Sequence, residues 1–287
     1  MIAFLGMGLL GSNFVKALLR RGEKVQVWNR TAARATALEA AGATAFTEAA
    51  AAVKGAQRIH LTLSEDVSVD ETLQKASAGF APGVIIVDHT TIAASGVAQR
   101  TQYWETRGYH YIHAPVFMGP SNALESSGFM LVSGNQSIIE KITPALAAMT
   151  GKLLNLGTEP GRAAGMKLSG NLILLSLTAG ISDMLALAKS LEIPSTDIEA
   201  LLAAWNPGNS LPARFKKIVS NQFSAPSWEL NMARKDAGLM MQEAASHHAQ
   251  LSIIPAIAAE MDKWIAKGHG HDDWTVIAKD NIPPAAV

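Results

Sequence analysis

Ile2-Ala3-Phe4-Leu5-Gly6-Met7-Gly8-Leu9-Leu10-Gly11 stands at the amino end of the chain, and a second apolar run, Lys24–Trp28, ends in Asn29-Arg30-Thr31. An apolar strand that runs into Gly-x-Gly-x-x-Gly and then into a helix has the layout of a dinucleotide site. The spacing predicts Gly6 at the tight turn, Gly8 where the backbone must approach a pyrophosphate, and Gly11 where helix and strand pack closely. Met7, Leu9 and Leu10 fall within the same turn and the helix start, where free N–H groups and the helix dipole favour a diphosphate. Glycines alone also end ordinary strands; here strand, glycines, helix and second strand follow in order, and that agreement carries the reading.

The end of the second strand selects the cofactor. A carboxylate there would bond the ribose 2′-hydroxyl of NAD, whereas an arginine accommodates the 2′-phosphate of NADP. Asn29, Arg30 and Thr31 stand at that point, Arg34 follows one helical turn on, and no acid comes before Glu39. The expected cofactor is NADP(H).

Length and composition bound the rest. At 287 residues and 48% hydrophobic, the chain is long enough for two domains with real cores. The 24 basic residues balance 24 acidic ones, so no basic face for a nucleic acid is expected. The absence of cysteine excludes disulfides, cysteine nucleophiles and thiolate metal sites. Met1 leads directly into the first strand, so no signal peptide and a cytoplasmic location are expected. Leu172 to Leu191 is apolar enough to suggest a membrane span. It carries Ser176, Ser182, Asp183 and Lys189, however, and reads better as a helix buried in a core or a subunit interface, with no membrane partner.

Short apolar runs alternate with alanine-rich helical stretches as far as Leu156, as expected of a parallel sheet with helices on its faces. The candidate strands are Ile2–Leu5, Lys24–Trp28, Arg58–Leu61, Val84–Asp88, Tyr109–His113, Phe129–Ser133 and Lys152–Asn155, and the candidate helices include Ser12–Arg21, Ala32–Ala41 and Ile92–Thr106. After the turn-forming Thr158-Glu159-Pro160-Gly161 the pattern is helical throughout, with helices at Arg162–Leu191, Ser195–Trp205, Leu211–Val219, Leu230–His248 and Ile254–Lys267. The expected fold class is α/β: a doubly wound, mainly parallel Rossmann domain over residues 1–160, then an all-α domain over residues 161–287 for substrate and dimerisation. That long apolar helix predicts a homodimer or homotetramer with the helix near the interface.

Within the long helix, Lys167 and Asn171 are spaced i, i+4 and share a face. A lysine near a nicotinamide can donate a proton to a carbonyl oxygen, and an adjacent amide can orient it. A solvated surface lysine is the other reading of that segment alone. His247-His248 and the pair His269/His271 occur at spacings seen in metal sites, but no accompanying carboxylate motif is recognisable, and no metal is expected. Asp88 and His113, both at strand ends, are either caps of the sheet or pocket residues.

Together these stretches resemble the β-hydroxyacid dehydrogenase family, which includes 3-hydroxyisobutyrate dehydrogenases, tartronate semialdehyde reductases and plant-type glyoxylate and succinic semialdehyde reductases. The resemblance covers essentially the whole chain, and the Trp28-Asn29-Arg30-Thr31 end looks like the NADP-preferring members. Leu63-Ser64 is similar to the loop after the third strand, and Asp88-His89-Thr90-Thr91 to an Asp-x-Ser-Thr segment beside the nicotinamide, which implies cofactor contacts for Leu63, Ser64 and Thr91. Gly161 to Asn171 resembles a Gly-x-Gly-x-x-x-Lys-x-x-Asn-Asn helix start with altered glycine spacing, which would make Lys167 the catalytic acid and Asn171 its neighbour. Lys235-Asp236 resembles a pair that closes over the cofactor, Trp228 falls at a pocket position, and Gly268 to Trp274 matches the turn before the last helix.

One segment departs from that pattern. Where the family reads Asp-Ala-Pro-Val-Ser-Gly-Gly, this chain has His113-Ala114-Pro115-Val116-Phe117-Met118-Gly119. The serine and glycines of the family hold a substrate carboxylate; Phe117 has no hydroxyl, and Phe117 and Met118 replace small residues. The resemblance with this departure implies an NADPH-dependent reductase of aldehydes or ketones with a pocket at Phe117, Met118, Gly119 and Trp228, less dependent on a carboxylate. Ser121 or Asn122 could instead supply the missing donor. Rival readings are a dehydrogenase of small semialdehydes or 3-hydroxy acids, an imine reductase, and a non-catalytic NADP-binding module. Imine reductases share the two-domain architecture but usually carry Asp or Tyr at the position of Lys167, whose charge would repel an iminium.

Overall fold

The computed structural model describes residues 1–283. The chain divides into two compact units, Met1–Leu172 and a second from Ile173 onward.

In the first unit, β1 (Ile2–Leu5), β2 (Val25–Trp28), β3 (Thr44–Phe46), β4 (Arg58–Leu61), β5 (Ile85–Asp88) and β6 (His110–His113) form a six-stranded parallel sheet in the order β3-β2-β1-β4-β5-β6. The helices between them are α1 (Leu9–Arg20), α2 (Ala32–Thr36), α3 (Ala49–Val53), α4 (Asp66–Ala76) and α5 (Ala94–Glu105). This is the doubly wound Rossmann arrangement. A parallel sheet covered on both faces is written in unbroken apolar runs, and β1 and β5 are buried along their whole length. Phe4, Val27 and Val87 point into one core with Phe14 and Leu18 of α1; Leu5, Ile59 and Ile86 point into the other with Val69 and Leu73 of α4 and Val97 of α5. Strand order reverses between β1 and β4, and open α/β sheets bind ligands outside the carboxyl ends of the strands at such a point. Register places Trp28, Leu5, Leu61, Asp88 and His113 in one row along that edge.

The remaining strands of this unit do not join the sheet, contrary to the single parallel sheet that the sequence suggests. β7 (Val116–Phe117) pairs antiparallel with β8 (Phe129–Val132), which pairs parallel with β9 (Lys152–Asn155), in a separate three-stranded sheet. Pro115 is the cause: it has no N–H to continue the ladder after β6, so the chain turns and starts a new sheet. Helices α6 (Pro120–Glu125) and α7 (Gln136–Ala147) connect these strands. The helix expected from Ile92 starts at Ala94, because the Asp66 carboxylate accepts the Ala93 N–H at 3.0 Å and holds residues 90–93 as a loop.

Helix α8 (Arg162–Ser190) runs from the first unit into the second, which continues with α9 (Ser195–Ala204), α10 (Leu211–Val219), α11 (Leu230–Ser246) and α12 (Ile254–Trp264); Leu230 of α11, Met261 and Trp264 of α12, Phe223 and Val276 share a core. The last expected helix, Ile254–Lys267, passes at Ile265–His269 into a wider turn because Gly268 takes φ +90°. By length and composition alone α8 could cross a membrane. Its Asp183, though, is committed: the carboxylate accepts N–H bonds from Ser252 (2.7 Å), Ile253 (2.9 Å) and Ile254 (3.2 Å) and so caps α12. Burial pushes the Asp183 carboxyl up, yet these three bonds outweigh it and hold it below the usual carboxylate range. The apolar side of α8 lies uncovered within the chain, with Leu172 61% and Leu175 72% exposed.

Candidate active site

The glycine turn is built on backbone contacts that leave no room for side chains. Gly6 takes φ +99°, and a Cβ there would overlap the Thr62 carbonyl oxygen; one on Gly11 would overlap the Gly6 carbonyl oxygen. Gly8 differs, because a Cβ on it would meet nothing within 4 Å. It is the N-cap of α1, with no side-chain cap and no acid in the first turn, so the helix start presents free N–H groups and the positive end of its dipole. Between these glycines Met7 turns into the core, Leu9 is 79% exposed and Leu10 is half-buried.

From this turn opens a cleft of about 320 Å³. Gly6 and Gly8 form one side, Asn29, Arg30, Thr31 and Arg34 the end of β2, and Leu63 and Ser64 the loop after β4. The cleft therefore gathers eight of the residues that the sequence singles out for a cofactor. Asn29 also braces the turn: its Oδ1 accepts the Met7 N–H at 2.9 Å and its Nδ2 donates to the Thr31 carbonyl at 2.9 Å. The far wall was missed: α4 contributes Ser68, Glu71, Thr72 and Lys75. Their spacing is that of one helix face, and this polar stripe was the available signal. Open space at Gly8 and bare N–H groups at the start of α1 fit a dinucleotide, with Arg30 and Arg34 at the β2 end of the cleft.

Deeper along the carboxyl edge, Asp88 and His113 are both fully buried and belong to a polar knot rather than an open pocket. Asp88 accepts the Thr90 N–H at 2.8 Å and the Tyr111 hydroxyl at 2.6 Å. His113 Nε2 lies 2.8 Å from the Thr90 carbonyl, and the Thr90 hydroxyl accepts the Leu63 N–H at 3.0 Å. On the opposite face of the sheet, His89 Nδ1 donates to the Ala114 carbonyl at 2.7 Å; its Nε2 is then the acceptor for His60 Nδ1 at 3.0 Å. Burial keeps these imidazoles neutral: His60 well below the ordinary value, His89 lowered to about 4, and His113 lowered. Thr91, next in the chain, is exposed.

Lys167 lies on the first turns of α8, 8% exposed, with its ammonium 4.1 Å from the centroid of the Phe117 ring. Burial lowers its pKa from the ordinary lysine value. The ring rests on Gly170, where a Cβ would overlap the aromatic carbons, so Phe117 can lie flat on this helix only because residue 170 has no side chain. Asn171 is half-buried on the Lys167 face. Of the two alternative donors for a substrate carboxylate, Asn122 is already engaged: its Oδ1 accepts the Gly119 N–H at 2.9 Å and its amide donates to Ser127 Oγ at 3.1 Å, while Ser121 is exposed. Met118 does not join Phe117 in a pocket. It packs against the core around Val116 and Met130, since successive residues of an extended strand point to opposite faces. Gly119 serves as the N-cap of α6.

Residues 1–157 match the NAD binding domain of 6-phosphogluconate dehydrogenase. The chain belongs to that family. It is an oxidoreductase of the β-hydroxyacid dehydrogenase group, similar to the 3-sulfolactaldehyde reductase of Escherichia coli (26% identical over 281 residues, 96% of this chain and 94% of the relative). It is also similar to the 2-(hydroxymethyl)glutarate dehydrogenase of Eubacterium barkeri, at 23% identity over 283 residues, 97% of this chain and 93% of the relative. Among solved structures, an imine reductase from Myxococcus stipitatus in complex with NADP+ shares the fold, with a TM-score of 0.92 at 19% identity over 97% of this chain and 99% of that one.

For a member of this family, the remaining sequence-derived site residues fall in the second unit. Lys235 and Asp236 form an ion pair at 2.8 Å on α11. Trp228 is 39% exposed and packs edge-on against Trp274, with ring centroids 5.7 Å apart. Of the histidines weighed as metal ligands, His269 pairs with Asp272 at 2.6 Å and His271 with Glu229 at 3.2 Å.

Proposed function

We propose that this oxidoreductase is an NADPH-dependent reductase of aldehydes or ketones that does not require a carboxylate on its substrate. The observation that carries this reading is the packing of Phe117 on Lys167 and Gly170, together with the capture of the Gly119 N–H by Asn122. A carboxylate brought there would lose roughly 1–3 kcal/mol for each donor it lacks, about ten- to hundredfold in affinity. An aromatic or aliphatic group would instead meet a ring.

NADP(H) would be held by the glycine turn and the α1 start, with Arg30 and Arg34 toward the 2′-phosphate; when bound, its nicotinamide supplies hydride to the carbonyl carbon. Lys167 performs the complementary step. Its ammonium donates a proton to the carbonyl oxygen as charge develops there, and the amine left behind regains its proton from water. Asn171, on the same helix face, orients the lysine and the substrate oxygen. Thr91 completes the proposed cofactor set within the first unit.

A second reading has support in the relatives, whose names carry a sulfonate and carboxylates: reduction of a small anionic semialdehyde. Initial rates of NADPH oxidation with succinic semialdehyde and with a neutral aromatic aldehyde separate the two. Preference for the neutral aldehyde is expected; preference for the semialdehyde overturns the carboxylate-independent reading. The uncovered apolar side of α8 supports a homodimer or homotetramer, and a monomer by light scattering at micromolar concentration would exclude both.

A further inference from the structure

Thr90 is held at every polar atom that could move it. Its N–H bonds Asp88 Oδ1 at 2.8 Å, its hydroxyl accepts Leu63 N–H at 3.0 Å, and its carbonyl accepts from His113 Nε2 at 2.8 Å. Thr90 is 2% exposed, so a bond lost here leaves a buried polar group rather than one open to bulk solvent. They tie the loop after β4, whose Leu63 and Ser64 line the cleft, to the loop after β5, which leads into Thr91.

The cost of using a histidine for this is visible. Because a carbonyl can only accept, Nε2 of His113 must carry the proton, which leaves Nδ1 as a buried acceptor without a partner among the described residues. Packing alone would be served better by leucine, which brings no polar atom to desolvate. Asp88 cannot swing away either, since Tyr111 occupies its second oxygen at 2.6 Å. Burial lowers the His113 pKa, which favours the neutral ring with its single donor.

We infer that His113 is a positioning residue for the cofactor: acting through Thr90, with Asp88, it fixes the two cleft loops against each other and thereby sets affinity for the dinucleotide rather than for the carbonyl, an inference that rests on the cofactor reading above. Its hydrogen bond is made by Nε2, at the end of the side chain, so glutamine can reproduce the donor and leucine cannot.

The test compares the unmodified chain with His113→Leu and His113→Gln. NADPH dissociation constants are read by quenching of tryptophan fluorescence, since Trp28 lines the cleft, and melting temperature and both KM values are recorded alongside. His113→Leu is expected to weaken NADPH about tenfold in Kd and KM while the carbonyl KM stays within about twofold, and His113→Gln to restore most of the loss. A lowered melting temperature with unchanged NADPH affinity, or a glutamine variant no better than leucine, would overturn the inference. Should His113→Leu fail to fold, Thr90→Val against Thr90→Ser asks the same question at the hydroxyl: loss by valine and rescue by serine support the clamp, and equal affinity refutes it. Failure of the unmodified chain to bind NADPH or NADH would instead remove the cofactor reading itself, and this proposal with it.

Discussion

The glycine turn at residues 6–11 and the segment 113–119 both follow carboxyl ends of strands of one sheet, yet they are constrained in opposite ways. At the turn, backbone meets backbone: any side chain on Gly6 or Gly11 would overlap a carbonyl oxygen, so the residue type follows from the fold. At 117–119, side chains decide. Phe117 covers the Lys167 ammonium, Met118 turns into the core and the Gly119 N–H is taken by Asn122. One region is fixed by its backbone, whereas the other is set by a few side chains.

The sharpest way to break the comparison is at Lys167. Lys167→Ala should lower kcat by about 10²–10⁴, the usual worth of a positioned proton donor, and leave NADPH affinity within about twofold. Equal loss of both would mean that the two regions are not separable. The pH profile carries the same information with a definite sign. With the ammonium as the proposed proton donor and its pKa lowered by burial, the rate is expected to be full at low pH and to fall as pH rises through a midpoint below the ordinary lysine value of about 10.4. A plateau that persists past that value would remove Lys167 as the acid.

The next effect is smaller. Phe117→Ser combined with Asn122→Ala restores a hydroxyl and frees the Gly119 N–H, and should shift the ratio of semialdehyde to neutral-aldehyde activity about ten- to hundredfold toward the acid. An unchanged ratio would show that the carboxylate question is decided elsewhere.

How much of this the sequence carried follows the same division. β1, β4 and β9 and the helix at Leu211–Val219 end where their local patterns end, because periodicity and turn residues act over a few positions. β3 is not written in the local pattern, because it is a three-residue edge strand with Thr44 exposed and Ala45 and Phe46 only half-buried. The split into two sheets turned on the single Pro115. For Asp88 and His113 the sequence left cap or pocket open, and they are caps, bonded to the Thr90 N–H and carbonyl; what it did not carry is that Tyr111 and His113 reach Asp88 and Thr90 through strand register, which no local pattern encodes. Asp183 likewise read as a charge unsuited to a bilayer, whereas its role as the cap of α12 spans 69 to 71 residues of chain. That Phe117 lies on Lys167 required both the fold of α8 and the missing side chain at Gly170, two facts from separate segments.

The finest division lies within the turn itself. Gly8 and Gly11 belong to one motif, but only Gly11 is in contact with backbone. Gly11→Ala must push α1 away from the Gly6 carbonyl, and should therefore cost stability, on the order of 1–3 kcal/mol for an overpacked contact, along with cofactor affinity. Gly8→Ala has open space for its methyl group, and replacing glycine where the backbone is extended, at φ −76° and ψ −171°, adds no strain. Its melting temperature should match that of the unmodified chain or exceed it slightly. If a pyrophosphate occupies the open space, the same methyl group stands in its way, and NADPH affinity should fall by several-fold to about tenfold while stability holds. Stability lost at Gly11 but not at Gly8, with affinity lost at both, would separate the glycine that builds the turn from the glycine that leaves room for the ligand. Unimpaired binding by Gly8→Ala would move the diphosphate away from the start of α1.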